Sequence, residues 1–233
     1  SGLTFIGPCS RTVRQAGLKD EAKRSALAAD VSIVPGVDDL TVRTLLAKAE
    51  CEGGLEAIAK AHKLAAPQGS TDTEKAEALL VASYDALIDV ITIDDIASQA
   101  EIEVAKLFDQ QPNNRIRLKA IGGGGGKGQR ILLAPKHYAG DHKTQVKDAS
   151  AKAPEMLREV LNEVKATGRG DNKNVLLELN IETTRHQEIQ LIGNGDWCLT
   201  LGGRDCSLQM HEQKLLEVSI TSESLKQAIE ASS

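Results

Sequence analysis

The chain has 233 residues, of which 41% are hydrophobic and only 2% are aromatic, with a net charge of −5. Its length suits one large domain or two small ones, and the scarcity of aromatic side chains removes the stacking surface that single-stranded nucleic acids need. The acidic balance argues against a nucleic-acid or membrane surface over the whole molecule, and no stretch approaches the roughly 20 apolar residues of a membrane span.

The opening of the chain alternates short apolar runs with turn signals. Residues 3–6 are predicted as a strand, and Ser10 is a suitable cap for a helix that runs to about Gly17. A second helix is predicted from about Lys19 to Ala29. The apolar run from Val31 to Val34 is predicted as another short strand.

Residues 37–112 are acidic and rich in alanine, and they are predicted to form a helical insertion of two or more helices. The apolar face of one predicted helix consists of Leu80, Tyr84, Leu87, Ile88 and Ile91. The next helix is predicted to begin at a Thr92-x-x-Asp95 capping box and to carry an apolar stripe from Ile93 to Leu107. Both stripes are expected to pack in a core, and a partner-binding face is the alternative.

A glycine run follows, in the sequence RIRLKAIGGGGGKGQR between Arg115 and Arg130. Apolar and basic residues alternate before the glycines, and an apolar run follows them, which predicts a strand, a loop and a second strand. Successive glycines can turn their N–H groups toward one point while lysines such as Lys119 neutralise phosphate charge. The segment therefore indicates a polyphosphate-binding loop, and a disordered linker is the alternative.

Two familiar phosphate loops do not fit this segment. A Walker A loop requires Gly-Lys-Ser/Thr, and both it and the dinucleotide fingerprint are followed by a helix. The remaining well-known architecture is a flexible β-hairpin lid that closes over ATP.

The rest of the chain is predicted as a helix from Ala151 to Ala166, a buried strand from Asn174 to Ile181 and a hairpin over residues 186–201. Strand alternation places His186, Glu188 and Gln190 on one face, within reach of Gln209. Three polar groups on one strand face indicate either a ligand-facing surface or a solvent-facing edge.

Taken in chain order, several motifs resemble the biotin carboxylase family, the ATP-grasp component of acetyl-CoA, propionyl-CoA and pyruvate carboxylases. These motifs are GLTFIGP, TVRQAGLK, VPG, LKAIGGGGGKGQR, LLEL, RHQEIQ and RDCSLQMHEQKLLE. The resemblance implies an α/β (α+β) fold with an ATP-grasp lid. Its implied domains are a linker strand and helix pair at 1–36, the helical insertion at 37–112, the lid at 113–181 and the start of a truncated central domain at 182–233.

The resemblance also implies an activity, in which MgATP and bicarbonate are used to carboxylate biotin on a carrier. The implied partners are a biotin carboxyl carrier and a carboxyltransferase, in the cytoplasm or in a mitochondrial or plastid matrix. Lys19 and Lys119 would contact the phosphates, residues 178–181 would read the adenine, and His186 would face the nucleotide. The full implied nucleotide-binding set is Lys19, Lys119, Gly125, Gly126, Glu178, Leu179, Asn180, Ile181, His186, Gln209 and Glu212.

The chain also departs from the family pattern. Glu212 stands where the family has a nucleotide-contacting histidine and opposes phosphate binding, Gly203 replaces a glutamate, and Leu179 replaces a lysine. The family's magnesium-binding carboxylates and catalytic arginine would lie beyond Ser233, so no catalytic or metal residue is assigned and the chain alone is expected to be inactive. The alternatives are a noncatalytic ATP-grasp-like assembly module and a ligase resembling carbamoyl-phosphate synthetase.

Overall fold

A computed structural model of the chain describes residue 5 and residues 7–122, 127–210 and 213–224. The described residues divide into two compact units, a larger unit within residues 14–180 and a smaller unit within residues 1–13 and 181–233. The chain combines helices and strands, which confirms the predicted α/β (α+β) class.

Helices fill most of the first 163 residues, and after that point the described chain forms mainly strands and connecting segments. The helices of the described chain are α1 (Ser10–Gly17), α2 (Lys19–Ala28), α3 (Leu40–Glu52), α4 (Leu55–Ala61), α5 (Asp72–Asp85), α6 (Ile93–Gln110), α7 (His142–Ser150) and α8 (Ala153–Glu163), with a short 3-10 helix at Pro135–His137. The strands are β1 (Gly36–Val37), β2 (Ile116–Ala120), β3 (Gln129–Leu132), β4 (Val175–Leu179), β5 (Gln187–Gly193), β6 (Cys198–Asp205), β7 (Gln209–Met210), β8 (Gln213–Lys214) and β9 (Val218–Ile220). Within the described ranges, no helix has the length and apolar content needed to cross a bilayer.

The larger unit contains a four-stranded antiparallel sheet in the order β1-β4-β2-β3. In β2 the side chains of Ile116, Leu118 and Ala120 are buried, and those of Arg117 and Lys119 are partly exposed. Because successive strand residues point to opposite faces, one face of the sheet packs into the core and the other carries charged groups.

One hydrophobic core joins helices α3 to α8 of the larger unit to this sheet. Its largest side chains are at most 1% exposed and include Leu40, Leu45, Ile58, Leu79, Ile96, Phe108, Leu118, Leu157 and Leu161. These residues come from α3, α4, α5, α6, α8 and β2, so the helical segment and the hairpin are packed together. The division into domains at 37–112 and 113–181 stays a prediction.

Several predicted helices of the larger unit are confirmed, and one is shorter than expected. The helices α1 and α2 lie where they were predicted, and α6 begins at the expected capping box of Thr92 and Asp95. The prediction that Leu80 and Ile91 share one helix face was wrong, because α5 ends at Asp85. Leu87 has a φ of 54°, in the left-handed region, which ends the helical conformation just after α5.

Two further predictions in the larger unit need correction. Val31 to Val34 do not form a strand, because sheet pairing begins only where Pro35 O accepts a hydrogen bond from Leu179 N and continues in β1. The helix predicted over residues 151–166 is α8, which occupies only its central part, and α7 precedes it without having been predicted.

The smaller unit contains a three-stranded sheet in the order β5-β6-β9 and the short pair β7-β8. The predicted β5–β6 hairpin is confirmed, and Asn194 Oδ1 accepts hydrogen bonds from Asp196 N and Trp197 N in its turn, at 3.0 and 3.2 Å. The second strand runs to Asp205, beyond its predicted end. The strand predicted at residues 3–6 lies almost entirely outside the described residues.

Candidate functional site

The charged face of the larger unit's sheet gathers lysines around one carboxylate. Glu178 in β4 is 6% exposed, and its two carboxylate oxygens lie 2.5 Å from Lys119 Nζ and 3.1 Å from Lys23 Nζ. The β2–β4 register places Arg117 opposite Glu178, so Lys119 is a diagonal neighbour of Glu178 on the same face. These ion pairs hold side chains from two strands and from α2 in one place.

Lys23 was not singled out from the sequence, although it connects several elements of this site. Its Nζ donates hydrogen bonds to Val34 O at 3.1 Å and to Asp38 Oδ1 at 2.5 Å, and its side chain is 13% exposed. Lys23 lies four residues after Lys19 in α2, so the two lysines share a helix face. That spacing was the signal in the sequence that could have identified it.

Lys19 lies where β2 leads into the glycine run. Its Nζ donates hydrogen bonds to Ala120 O at 3.0 Å and Ile121 O at 3.3 Å. Burial lowers the pKa of Lys19, and the positive charge of Lys119 lowers it further. The structure therefore brings together the two lysines that were predicted to contact phosphate. Lys19, Lys23 and Lys119 are called the lysine cluster below.

The lysine cluster lies close to carboxylates, and together with Arg117 it retains a small excess of positive charge. Burial alone would raise the pKa of Glu178, but the hydrogen bonds and charges of Lys119 and Lys23 outweigh burial and hold that pKa below its ordinary value. Glu178 is therefore ionised at neutral pH. With Arg117 included, the basic side chains outnumber their acidic neighbours, which are Asp20, Asp38 and Glu178. Such a site favours an anion.

The glycine run joins two paired strands. The antiparallel pairing of β2 with β3 extends from Ile116 opposite Leu132 to Lys119 opposite Gln129, and Ala120 N donates a hydrogen bond to Gly128 O at 2.9 Å. This confirms that a strand precedes and a strand follows the glycine run, as predicted, and that the two strands pair. Gly125 and Gly126, which were assigned to the lid, lie outside the described residues.

Arg117 fixes the strands on the charged face of the hairpin. Its Nη1 donates to Gln129 Oε1 at 2.8 Å, and its Nε donates to Asn180 Oδ1 at 3.0 Å. The first bond crosses to β3 and the second reaches the end of β4. The positions of the lysine cluster are therefore supported by hydrogen bonds on three neighbouring strands.

The segment predicted to read adenine begins at the end of β4. Glu178 directs its carboxylate to lysines, whereas Leu179 N donates to Pro35 O and Asn180 N donates to Arg115 O, at 3.0 and 2.8 Å. The Asn180 side chain is bonded to Arg117 as well, and Ile181 belongs to the smaller unit, where it is 56% exposed. A role of residues 178–181 in adenine binding stays a prediction.

The smaller unit brings together two other residues of the predicted set. The side-chain amide nitrogen of Gln209 lies 2.7 Å from His186 Nδ1 and donates a hydrogen bond to Cys206 O at 2.8 Å. Gln209 was expected to approach the face of His186, and this approach is confirmed. Glu212, which was predicted to lie near phosphate, is outside the described residues.

A network of ion pairs lies beside these residues in the smaller unit, and the sequence did not identify it. Glu188 accepts from both Arg204 and Lys214, and Glu217 is paired with the same two cations. In the described part of the chain, Glu188, Cys206 and Glu217 are the group whose ligand atoms lie close enough to hold a metal, within 4.8 Å of one another. Since both carboxylates are already neutralised by cations, we interpret the group as an ion-pair network.

Comparison with known proteins identifies the family. Residues 88–229, more than half of the chain, match the model of the family described as "Carbamoyl-phosphate synthase L chain, ATP binding domain". The chain is 35% identical over 120 residues to the 2-oxoglutarate carboxylase small subunit of Hydrogenobacter thermophilus, covering 51% of this chain and 22% of that protein. It is 25% identical over 218 residues to the biotin carboxylase of Pseudomonas aeruginosa, covering 93% of this chain and 32% of that protein.

A solved structure agrees with these relatives. The biotin carboxylase domain of the Hydrogenobacter thermophilus 2-oxoglutarate carboxylase, crystallised with MgADP, ADP and bicarbonate, superposes with a TM-score of 0.54 at 25% identity. The match covers 97% of this chain and 35% of that chain. The chain thus spans about a third or less of the length of the relatives that it matches. Its relatives include biotin carboxylases, and the chain belongs to the family of the carbamoyl-phosphate synthase L chain ATP-binding domain.

Proposed function

We propose that this chain is the ATP-binding part of a biotin carboxylase, which uses MgATP and bicarbonate to carboxylate biotin on a carrier. The observation that carries the proposal is the lysine cluster, which gathers at the base of a glycine hairpin around Glu178. The relative crystallised with MgADP and bicarbonate supports the same ligands here. The proposed partners are a biotin carboxyl carrier and a carboxyltransferase, as in multi-component carboxylases.

In this proposal Lys19 and Lys119 bind phosphate oxygens of ATP, and the glycine loop donates backbone N–H groups, including those of Gly125 and Gly126. Adjacent ammonium groups stabilise the negative charge that develops as a phosphoryl group is transferred. A phosphate group competes with Glu178 for Lys119, and Lys23 then remains as the partner that keeps Glu178 ionised. Nucleotide binding thus exchanges one ion pair for another.

The remaining predicted residues have supporting roles in the proposal. The resemblance supports adenine contacts from residues 178–181, made through the backbone where side chains are engaged elsewhere. It also supports nucleotide contacts from His186 and Gln209, which lie together in the smaller unit. Glu212 adds a carboxylate to this set and is proposed to weaken phosphate binding.

The described residues do not form a suitable magnesium site. Mg²⁺ is bound by oxygen ligands with near-octahedral geometry, whereas Glu178 and Asp38 are both engaged by lysines. The carboxylates of Glu188 and Glu217 are likewise paired with Arg204 and Lys214. No step of the proposal is therefore assigned to a metal held by these residues.

The proposal is tested by measuring ATP binding to the 233-residue chain and to its Lys119→Met variant by isothermal titration calorimetry. Removing one charge-assisted phosphate contact is expected to weaken ATP binding by about tenfold or more. Lys143→Met is the matched control, because Lys143 is exposed and lies in α7, away from the lysine cluster.

An unchanged dissociation constant for Lys119→Met would show that the hairpin is not a phosphate lid. If the unmodified chain binds no ATP, the noncatalytic assembly module is the better interpretation. Formation of carbamoyl phosphate, rather than carboxybiotin, by a protein that contains this chain would instead support a ligase like carbamoyl-phosphate synthetase.

A further inference from the structure

The larger unit also has a cleft of about 540 Å³, formed mainly by α2, α3 and α5. This volume is within the range of small-molecule sites. Helix α2 contributes Lys19 and Lys23 to the lysine cluster, whereas it contributes Asp20 and Leu27 to the cleft. The cleft is therefore lined by a different set of α2 side chains from those that form the proposed phosphate site.

Apolar side chains cover a large part of the cleft wall. Leu80, Val81 and Tyr84 come from α5, Val42 comes from α3, and Leu27 comes from α2. Val81 is 56% exposed and Leu27 is 57% exposed. Because these side chains line one concavity, an apolar group bound there would be removed from water by three helices.

The arginines of the cleft are already paired with acidic residues. Arg24 donates to Glu21 and Glu77, at 2.6 and 2.8 Å, and thereby links α2 to α5. Arg43 is paired with Asp39 at 2.7 Å and with Glu103 at 3.2 Å. Neither arginine therefore offers an uncompensated positive charge to a ligand, and an anionic ligand would meet a wall rich in carboxylates.

Asp20 is the carboxylate of the cleft that differs from the others. Within the described residues, no lysine or arginine nitrogen forms an ion pair with it at 4 Å or less. Its Oδ1 accepts a hydrogen bond from Glu21 N at 3.0 Å, and its Oδ2 accepts a longer one from Asn174 Nδ2 at 3.3 Å. Since a carboxylate offers about four acceptor positions, Asp20 can accept further hydrogen bonds from a cation.

The negative charge of Asp20 affects Tyr84, which belongs to the apolar wall of the cleft. Burial raises the pKa of Tyr84 to about 12, and the negative charges of Asp20 and Asp89 contribute to that increase. Tyr84 and Asp20 both line the cleft, so an aromatic ring and a carboxylate lie close enough to interact. This pair of groups suits an ammonium ion, which is attracted by carboxylates and by aromatic rings.

We propose that this cleft binds an organic cation, in which an ammonium group contacts Asp20 and an apolar body packs against Leu80 and Val81. The chemistry of the lining selects the ligand class, because the apolar wall favours a hydrocarbon group and the carboxylates select for positive charge. Asp20 also interacts electrostatically with Lys19. None of the three lysines of the lysine cluster lines the cleft, so the proposed contacts are separate from those proposed for ATP.

The test measures binding of 4-phenylbutylamine to the 233-residue chain by saturation-transfer NMR and calorimetry, with 4-phenylbutyrate as the probe of opposite charge. The amine is expected to bind at least about tenfold more tightly than the carboxylate, the size of one charge-assisted hydrogen bond. Equal binding of the two probes, or no binding of the amine, would overturn the proposal.

Two variants locate the bound amine. Asp20→Asn is expected to weaken amine binding by about tenfold, and Val81→Trp is expected to fill the cleft and abolish it. Asp148→Asn and Leu133→Trp are the matched controls at exposed positions that do not line the cleft. Thermal unfolding confirms that each variant is folded. If each cleft variant binds the amine as tightly as its control does, the assignment of the amine to this cleft is contradicted.

Discussion

At the scale of single residues, Glu178 determines the charge balance of the candidate site. It is nearly buried, and it contacts Lys23 and Lys119 with separate oxygens. Two lysines held close together repel each other, and a carboxylate between them reduces that repulsion. Removing it would leave partly buried cations without their partner, which costs more than the net contribution of the pair.

This carboxylate is expected to make stability depend on acid pH. Because the pKa of Glu178 is lowered by folding, its contribution is complete above its ordinary pKa of 4.5 and is lost as the pH falls below that value. Glu178→Gln is expected to lower the free energy of unfolding at pH 7 by about 1 to 3 kcal/mol. Urea unfolding at pH 7 and at pH 4 measures both effects.

The difference in unfolding free energy between the wild type and Glu178→Gln should narrow at the lower pH. The unfolded wild-type chain then binds a proton at this carboxylate, whereas the folded protein, in which the pKa is lowered, binds it only at a still lower pH. Glu159→Gln is the matched control, since Glu159 pairs with Arg130 on the surface and is 48% exposed. Surface pairs contribute about 0 to 1 kcal/mol. An equal loss in both variants, or a difference that does not change with pH, would contradict this account of Glu178.

Sequence reasoning found Lys19, Lys119 and Glu178 of this site but not Lys23. Lys119 is recognisable because it lies in the strand that leads into the glycines, and Lys19 was identified by its motif. Lys23 was missed because its partners are distant along the chain: Asp38 is 15 positions away and Glu178 is 155 positions away. Local patterns do not contain such pairings, which arise only when α2 packs beside the sheet.

At the scale of helices and strands, local capping and alternation were good predictors, and weak amphipathic patterns were not. The capping box of α6 and the two hairpins were read directly from the sequence. Helix α7 was missed because its sequence is largely polar, although Asp141 caps it by accepting a hydrogen bond from Thr144 N at 2.9 Å. The apolar run from Val31 to Val34 predicts a strand, but hydrophobicity alone does not supply the pairing partner that a strand needs.

The cap of α6 gives a prediction at this scale. Thr92 Oγ1 accepts from Asp95 N at 3.1 Å, and Asp95 Oδ2 accepts from Thr92 N at 2.8 Å. Thr92→Ala is expected to lower the free energy of unfolding by about 1 kcal/mol, because an N–H group at the helix terminus loses its acceptor. Urea unfolding measures the loss. Thr92→Ser keeps the hydroxyl and should retain most of the stability, and equal losses in the two variants would contradict the capping role.

At the scale of the whole molecule, the main question is whether residues 37–112 form an insertion with its own stability. The family match begins at residue 88 and therefore includes α6, whereas α3, α4 and α5 precede it. All four helices nevertheless contribute to the same hydrophobic core as β2 and β4. A segment packed in this way is expected to unfold together with the hairpin, even if it is an addition to the family pattern.

Phe108 tests this expectation, because it is fully buried near the end of α6. Phe108→Ala is expected to cost about 3 to 5 kcal/mol of unfolding free energy through the cavity that it leaves. Amide hydrogen exchange should then show that protection falls in α3, β2 and β4 together, since these elements share one core. Phe5→Ala is the matched control, because Phe5 is 77% exposed. If amide protection falls only in α3–α6 and is unchanged in β2 and β4, the helical segment unfolds separately from the hairpin, and the expectation is wrong.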